Sequence, residues 1–110
     1  MQIPNEVAEY FQNGRRKIMS VFANDNFTLS LIFDNNEMRI YDMKDNLNGD
    51  VFKPFRILSE FKRVFVDENG GVAWDINPTI DSNVVWNNRV DLCPDSCYLK
   101  SFPVYFHNNV

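Results

Sequence analysis

Metal-binding and nucleophilic chemistry have little to work with in this chain. Its 110 residues include one histidine, His107, and two cysteines, Cys93 and Cys97. A structural zinc site takes about four Cys or His ligands, more than the chain holds. The cysteines lack the two-residue spacer of a redox pair. Their expected roles are local: Cys93 caps a turn and Cys97 fills a small buried position. A lone imidazole such as His107, with no nucleophile and orienting group in view, is a poor catalytic base. No metal and no cofactor is expected.

Glycine is also scarce, at four residues with one adjacent pair, Gly70-Gly71. The Gly-rich loop that cradles phosphates before a Lys is missing. No apolar run approaches the roughly 20 residues that span a bilayer. Met1 to Gly14 carries Glu6 and Glu9 and lacks the basic start and apolar run of a secretory signal. Two cysteines suit a reducing compartment, so the expected location is cytoplasmic. The net charge is −4 and the pI about 4.8. Such a chain gains little from counterion release, which argues against nucleic acid. The nearest thing to a basic patch, Arg15-Arg16-Lys17, with Lys62-Arg63 as a second pair, reads as a solvated strand entrance.

What the chain does have is apolar mass. Hydrophobic residues make up 45% and aromatics 15%, with ten Phe among them. A chain this long buries roughly two-thirds of its unfolded surface, enough for a core without disulfides. Ile3, Val7, Tyr10 and Phe11 recur at helical spacing, and Asn13-Gly14 supplies a stop. Lys17 to Ala23 reads as a strand. Phe27, Leu29, Leu31 and Phe33 then alternate with Thr28, Ser30, Ile32 and Asp34, the pattern of a strand with one buried face. Asn35-Asn36 suggests a type I′ hairpin, with Glu37 to Met43 returning as the third strand of a meander.

From 44 to 62 the breakers Asn46, Gly49 and Pro54 predict a loop with one or two short helical turns. Arg63–Asp67 and Val72–Ile76 flank a Glu68-Asn69-Gly70-Gly71 turn and predict a second hairpin. Pro78 to Ser82 reads as loop and Asn83 to Asn87 as a further strand, because Val84-Val85-Trp86 favours extended backbone. Cys93 to Leu99 reads as a helix with Pro94 in its first turn. The tail Phe102-Pro103-Val104-Tyr105-Phe106 is too apolar to float free. The fold class is α+β: an antiparallel meander and a second hairpin with a few short helices. Its expected organisation is a helical extension over 1–15, a core domain over 16–101 and a tail over 102–110.

Several of these segments resemble a known family in their order. Phe33-Asp34-Asn35-Asn36-Glu37, followed by Arg39-Ile40-Tyr41-Asp42, is similar to a hairpin of the bacterial domain-of-unknown-function family 2442. Gly49-Asp50-Val51-Phe52, the strand from Phe61 to Val66, and the closing set Trp86-Asn87-Asn88, Val90 to Asp95 and Tyr98 resemble its later segments. Asn36 and Asn88 stand where glycine is common. Residues 72–83 resemble an insertion in which Val72-Ala73-Trp74-Asp75 half-duplicates the Trp86 motif. The resemblance implies a small α+β domain with no assigned catalysis. Its members often look like partners of small toxin-like proteins, or sit beside DNA-binding segments.

The residues singled out as a candidate surface are Asp42, Trp74, Trp86, Asp91 and Tyr98. Asp42 and Asp91 each follow an apolar stretch inside a family-like motif. One Trp is expected in the core and the other near the surface. The first expectation is a non-enzymatic binding or regulatory module that meets a protein partner or a second copy through a sheet face, the N-terminal helix or the tail. It extends to an antitoxin-like role against a small toxin-like protein. The alternatives are a small hydrolase or ligand-binding enzyme using Asp42 and Asp91, with Tyr98 as a further candidate, and a DNA-associated regulator using Arg15, Arg16 and Lys17.

Overall fold

A computed structural model of the protein describes residues 5–105. Phe106 and His107 lie outside the described residues. The alternating segment forms a strand from Thr28 onward; Phe27, expected as its first residue, instead closes the preceding turn with a φ of 61° and its N–H donating to the Asn24 carbonyl. Leu29, Leu31 and Phe33 are fully buried on one face of β2 (Thr28–Phe33). β1 (Ile18–Ala23) and β3 (Met38–Asp42) pair antiparallel on either side of it. A two-residue strand, which is β7 (Phe102–Pro103), closes the far edge of β3, so the strand order is β1-β2-β3-β7. The register of β1 shifts between Ile18 and Ser20, a bulge that turns Met19 to solvent.

The β2–β3 connection differs from the expected type I′ turn. Of its two asparagines only Asn36 takes a positive φ, 65°. The Phe33 N–H donates to the Glu37 carbonyl, the Asn36 N–H donates to the Phe33 carbonyl, and Asn35 Oδ1 accepts the Glu37 N–H. The result is a three-residue loop closed by a left-handed residue. The Asn35 side chain favours it by bonding two residues ahead.

A second sheet joins β4 (Phe65–Val66), β5 (Val72–Asp75) and β6 (Arg89–Leu92), all antiparallel. Asp67 shapes the β4–β5 turn, its Oδ1 accepting the N–H of Asn69 (2.9 Å) and of Gly71 (3.0 Å). A Cβ on Gly71 would fall onto the Leu92 carbonyl oxygen of β6. Glycine is required there by the close approach of backbone, not by φ.

The strand expected over 83–87 is not formed; the last strand of this sheet is Arg89–Leu92. Local hydrogen bonds override the extended propensity of Val84-Val85-Trp86. The N–H groups of Val84 and Val85 donate to the Asp81 carbonyl, and Asp81 Oδ1 accepts the Asn83 N–H. Asn88 Nδ2 ties the base of the loop to the carbonyls of Asn77 and Ile80. Competition of this kind from Asp and Asn side chains favours turns over strands.

The segment between the sheets supplies α2 (Lys44–Leu47), a 3-10 helix (Asp50–Arg56) and α3 (Leu58–Phe61). It delivers Phe55 and Phe61 to the fully buried Trp74, at ring-centroid separations of 5.5 and 6.1 Å. The Trp74 Nε1–H donates to the Phe61 carbonyl at 2.9 Å. α4 (Pro94–Lys100) starts at Pro94 as expected and buries Cys97. α1 (Asn5–Gln12) docks on it through a Tyr10–Tyr98 stack with centroids 5.0 Å apart.

Candidate functional site

The five residues singled out from sequence are distributed over the molecule. Trp74 is core, whereas Trp86 is 84% exposed. Asp42 ends β3 and accepts the Lys44 N–H at 2.9 Å, a local cap. It lines a cleft of about 430 Å³ with Tyr41, Asn46, Lys100 and Phe102. Asp91 lies exposed on β6 beside Trp86, Asn87 and Arg89, around a shallow cleft of about 320 Å³. Tyr98 faces a third cleft, of about 360 Å³, with Tyr10, Arg16, Arg39 and Pro103. Of the five, only Trp86 and Asp91 share a cleft.

The Tyr98 cleft is built on a polar network that sequence reasoning missed. The Tyr98 hydroxyl donates to Glu37 Oε2 and Arg39 Nη1 donates to Glu37 Oε1, both at 2.6 Å. Arg39 also donates to Ser101 Oγ and to the Ser101 carbonyl, each at 2.7 Å, and its guanidinium lies 4.3 Å from the Tyr98 ring centroid. Next to it, the Tyr10 hydroxyl donates to Asp95 Oδ1 at 2.6 Å and accepts the Arg16 N–H at 2.9 Å. Arg15 also pairs with Asp95. These bonds fasten α1, α4, β3 and β7 together. The local part of the network, Glu37 two residues before Arg39, is visible in the sequence; the partners that complete it, Tyr98, Ser101 and Asp95, stand 61 to 85 residues away.

The titration behaviour of these groups follows from their surroundings. Burial, then the Asp95 hydrogen bond, pushes the Tyr10 phenol up to about 12. Burial and the Glu37 carboxylate raise Tyr98. Burial disfavours ionised Glu37, but hydrogen bonds from Tyr98, Arg39 and Asn35 outweigh it and hold the carboxyl below its usual range. Asp95 is held low by Arg15, against a smaller opposing effect of burial. Burial and the nearby Cys93 thiol push Cys97 up to about 12. Each group is moved away from neutrality, where general acid–base catalysts work best. Among the described residues, no group of three or more His, Cys, Asp or Glu converges as a metal site, and no helix is long and apolar enough to cross a membrane.

A different surface emerges from the strand register. Because Leu29, Leu31 and Phe33 point into the core, Ser30 and Ile32 face the other side, where Thr28 is covered by its bonds to Asn24 and Asn26. Phe22 stands opposite Ser30, Ser30 opposite Ile40, and Ile40 opposite Phe102, one row across all four strands. Ser20, Ile32 and Met38 form the row beside it. Phe22 and Phe102 are 67% and 68% exposed. Asp42, paired with Thr28, puts a charge at one corner; the two rows themselves are uncharged. The signal was present in the sequence as apolar residues at positions where alternation calls for polar ones.

Comparison with known proteins adds the family. A model described as a protein of unknown function, DUF2442, matches residues 18–103. The chain belongs to the DUF2442 family. The match runs from the first residue of β1 to the last of β7, so the DUF2442 segment takes in both sheets and leaves α1 outside. No curated protein and no solved structure matches the chain.

Proposed function

We propose that this DUF2442 domain is a non-enzymatic protein-binding module that pairs with a second copy of itself through the outer face of its four-stranded sheet. The observation that carries this reading is the uncharged row Phe22–Ser30–Ile40–Phe102. An apolar patch of this kind gains from being covered. A neutral patch also lets two chains of net charge −4 abut without opposing like charges across the contact.

The dimer is expected to be weak. Four strands about 4.8 Å apart and about five residues long offer roughly 300 Å² of flat area per protomer, well under the ~800 Å² of a standard interface. The hydrolytic alternative needs at least two of Asp42, Asp91 and Tyr98 in one pocket, and each lines a separate cleft. Of the three cations in the DNA alternative, Arg15 pairs with Asp95 and Arg16 lies 3.7 Å from Asp34, which leaves Lys17 to meet a polyanion on a chain of net charge −4. The antitoxin-like form of the reading, with a small toxin-like protein as partner, rests on the family resemblance.

Sedimentation velocity over a concentration series tests the pairing. The expected result is a monomer–dimer equilibrium with a dissociation constant in the range of about 10 μM to 1 mM, abolished by Ile40→Glu with the far-UV spectrum unchanged. A strict monomer at the top of that range, or a dimer indifferent to Ile40→Glu, would refute it.

A further inference from the structure

The loop between β5 and β6, residues 76–88, is the other large apolar surface. Ile76, Ile80, Val84, Val85 and Trp86 are all exposed, Val84 at 81% and Trp86 at 84%. Exposed apolar loops usually gain some protection by collapsing, but this one is held open by its own hydrogen bonds. Asn88 Nδ2 donates to the carbonyls of Asn77 and Ile80, and Asn88 Oδ1 accepts the Asn77 N–H. Asp75 Oδ1 accepts the Ser82 N–H at 3.2 Å. Arg89 reaches across from β6 to Ser82 Oγ, Asn83 Oδ1 and Glu68. A loop ordered in advance has less conformational entropy to lose when a partner seats on it.

The charge around this loop is one-sided. On the loop and the strand ends that carry it stand Asp75, Asp81 and Asp91. The cations nearest them, Arg89 on β6 and Arg63 at the entrance to β4, are bonded to Glu68 and Glu60. The guanidinium of Arg89 is occupied by Glu68, Ser82 and Asn83, and its side chain is only 12% exposed. It offers little positive charge to a visitor.

We infer that the 76–88 loop is a docking surface for a cationic protein, whose apolar slot takes Trp86 and Val84 while its lysines or arginines face the surrounding carboxylates. Trp is the residue most often found as an interface anchor, and a field of one sign selects the partner's charge and speeds encounter. The alternatives fit the charge poorly. A second copy would bring the same excess carboxylates to the contact. Nucleic acid and anionic lipid would be repelled. This surface lies on the second sheet and stands apart from the self-pairing face, so either reading can fail alone.

Two fluorescein-labelled amphipathic helical peptides serve as probes, each with a leucine face and with either lysine or glutamate on the polar face. Binding to the full chain is read by anisotropy. Tryptophan emission reports Trp86 against the buried, constant Trp74. The lysine peptide is expected to bind, to shift the emission to the blue, and to weaken about tenfold on going from low to physiological salt. Trp86→Ala should abolish binding. The double variant Asp81→Asn/Asp91→Asn should weaken it by about fivefold or more, whereas Asp45→Asn/Asp50→Asn, an equal loss of charge elsewhere, should not. Ile40→Glu should leave it intact. Binding of the glutamate peptide at similar strength, binding that survives Trp86→Ala, equal effects of the two charge-removing variants, or no binding of the lysine peptide would each overturn the inference. So would an equal emission shift on neutral phosphatidylcholine vesicles, which would mark the loop as a lipid contact.

Discussion

Replacing Trp74 with Phe removes two things at once from the middle of the molecule. The first is the Nε1–H that satisfies the Phe61 carbonyl at 2.9 Å in a fully buried setting. A buried carbonyl left without a partner costs about 1–3 kcal/mol. The second is volume. Phe is smaller than Trp by about 40 Å³, and unrelaxed cavity costs about 24 cal/mol per Å³, adding about 1 kcal/mol. Rings from Phe52, Phe55 and Phe61 hem the site in, which limits collapse into the gap. The expected loss is therefore about 2–4 kcal/mol, a large share of the 5–15 kcal/mol of a domain this size. Urea unfolding followed by far-UV circular dichroism reads it directly. With an m-value near 1.5 kcal/mol/M, the midpoint should fall by roughly 1.3–2.7 M. The same substitution at Trp86, exposed and without a bonded indole N–H, should change stability by less than about 0.5 kcal/mol. Equal losses at the two positions would refute the assignment of Trp74 to the core.

Gly71→Ala should destabilise by about 2 kcal/mol or more, because its Cβ meets the Leu92 carbonyl across the β5–β6 pair; a thermal midpoint unchanged from the parent would contradict this. Acid unfolding should depend on Asp95 and Glu37. Their folded carboxyl pKa values lie below the unfolded ones, so their stabilisation is present above about pH 4 and lost as pH falls through the folded values. Asp95→Asn should accordingly flatten the stability–pH slope on the acid side, measured by urea titration at several pH values. Iodoacetamide at pH 8 should alkylate Cys93 and spare Cys97, whose thiol is buried and pushed up to about 12; mass spectrometry should show one adduct in the native protein and two in denaturant.

The parts of this fold that could be read in the sequence are those set by neighbouring residues. Leu29, Leu31 and Phe33 alternate because one face of β2 must be buried, and a period of two is visible in the five residues they span. Pro94 marks the start of α4 for an equally local reason. Asn83 to Asn87 misleads because Val84, Val85 and Trp86 favour extended backbone, while the asparagine and aspartate side chains that hold the turn act through specific bonds that a propensity does not count. Arg89–Leu92 was obscured by the same segment. The short helices between 44 and 62 were foreseen as turns, but their partner, Trp74, lies beyond them in the chain. The candidate site was least legible. Trp86 and Asp91 are near in sequence and meet in the structure. The Glu37–Tyr98 and Tyr10–Asp95 links join segments that no local window connects.

The position of β7 in the chain bears on how the protein is made. A ribosome delivers β1, β2 and β3 early, and those strands can pair as they emerge. Their partner at the β3 edge arrives only after the whole second sheet and α4 have been synthesised. Until then Arg39 and Ile40 present unsatisfied backbone to any passing strand. At translation rates of about 5–20 residues per second, the 59 residues between β3 and β7 leave that edge open for about 3–12 s. Overexpression, where nascent chains crowd one another, is when mispairing there would be most damaging.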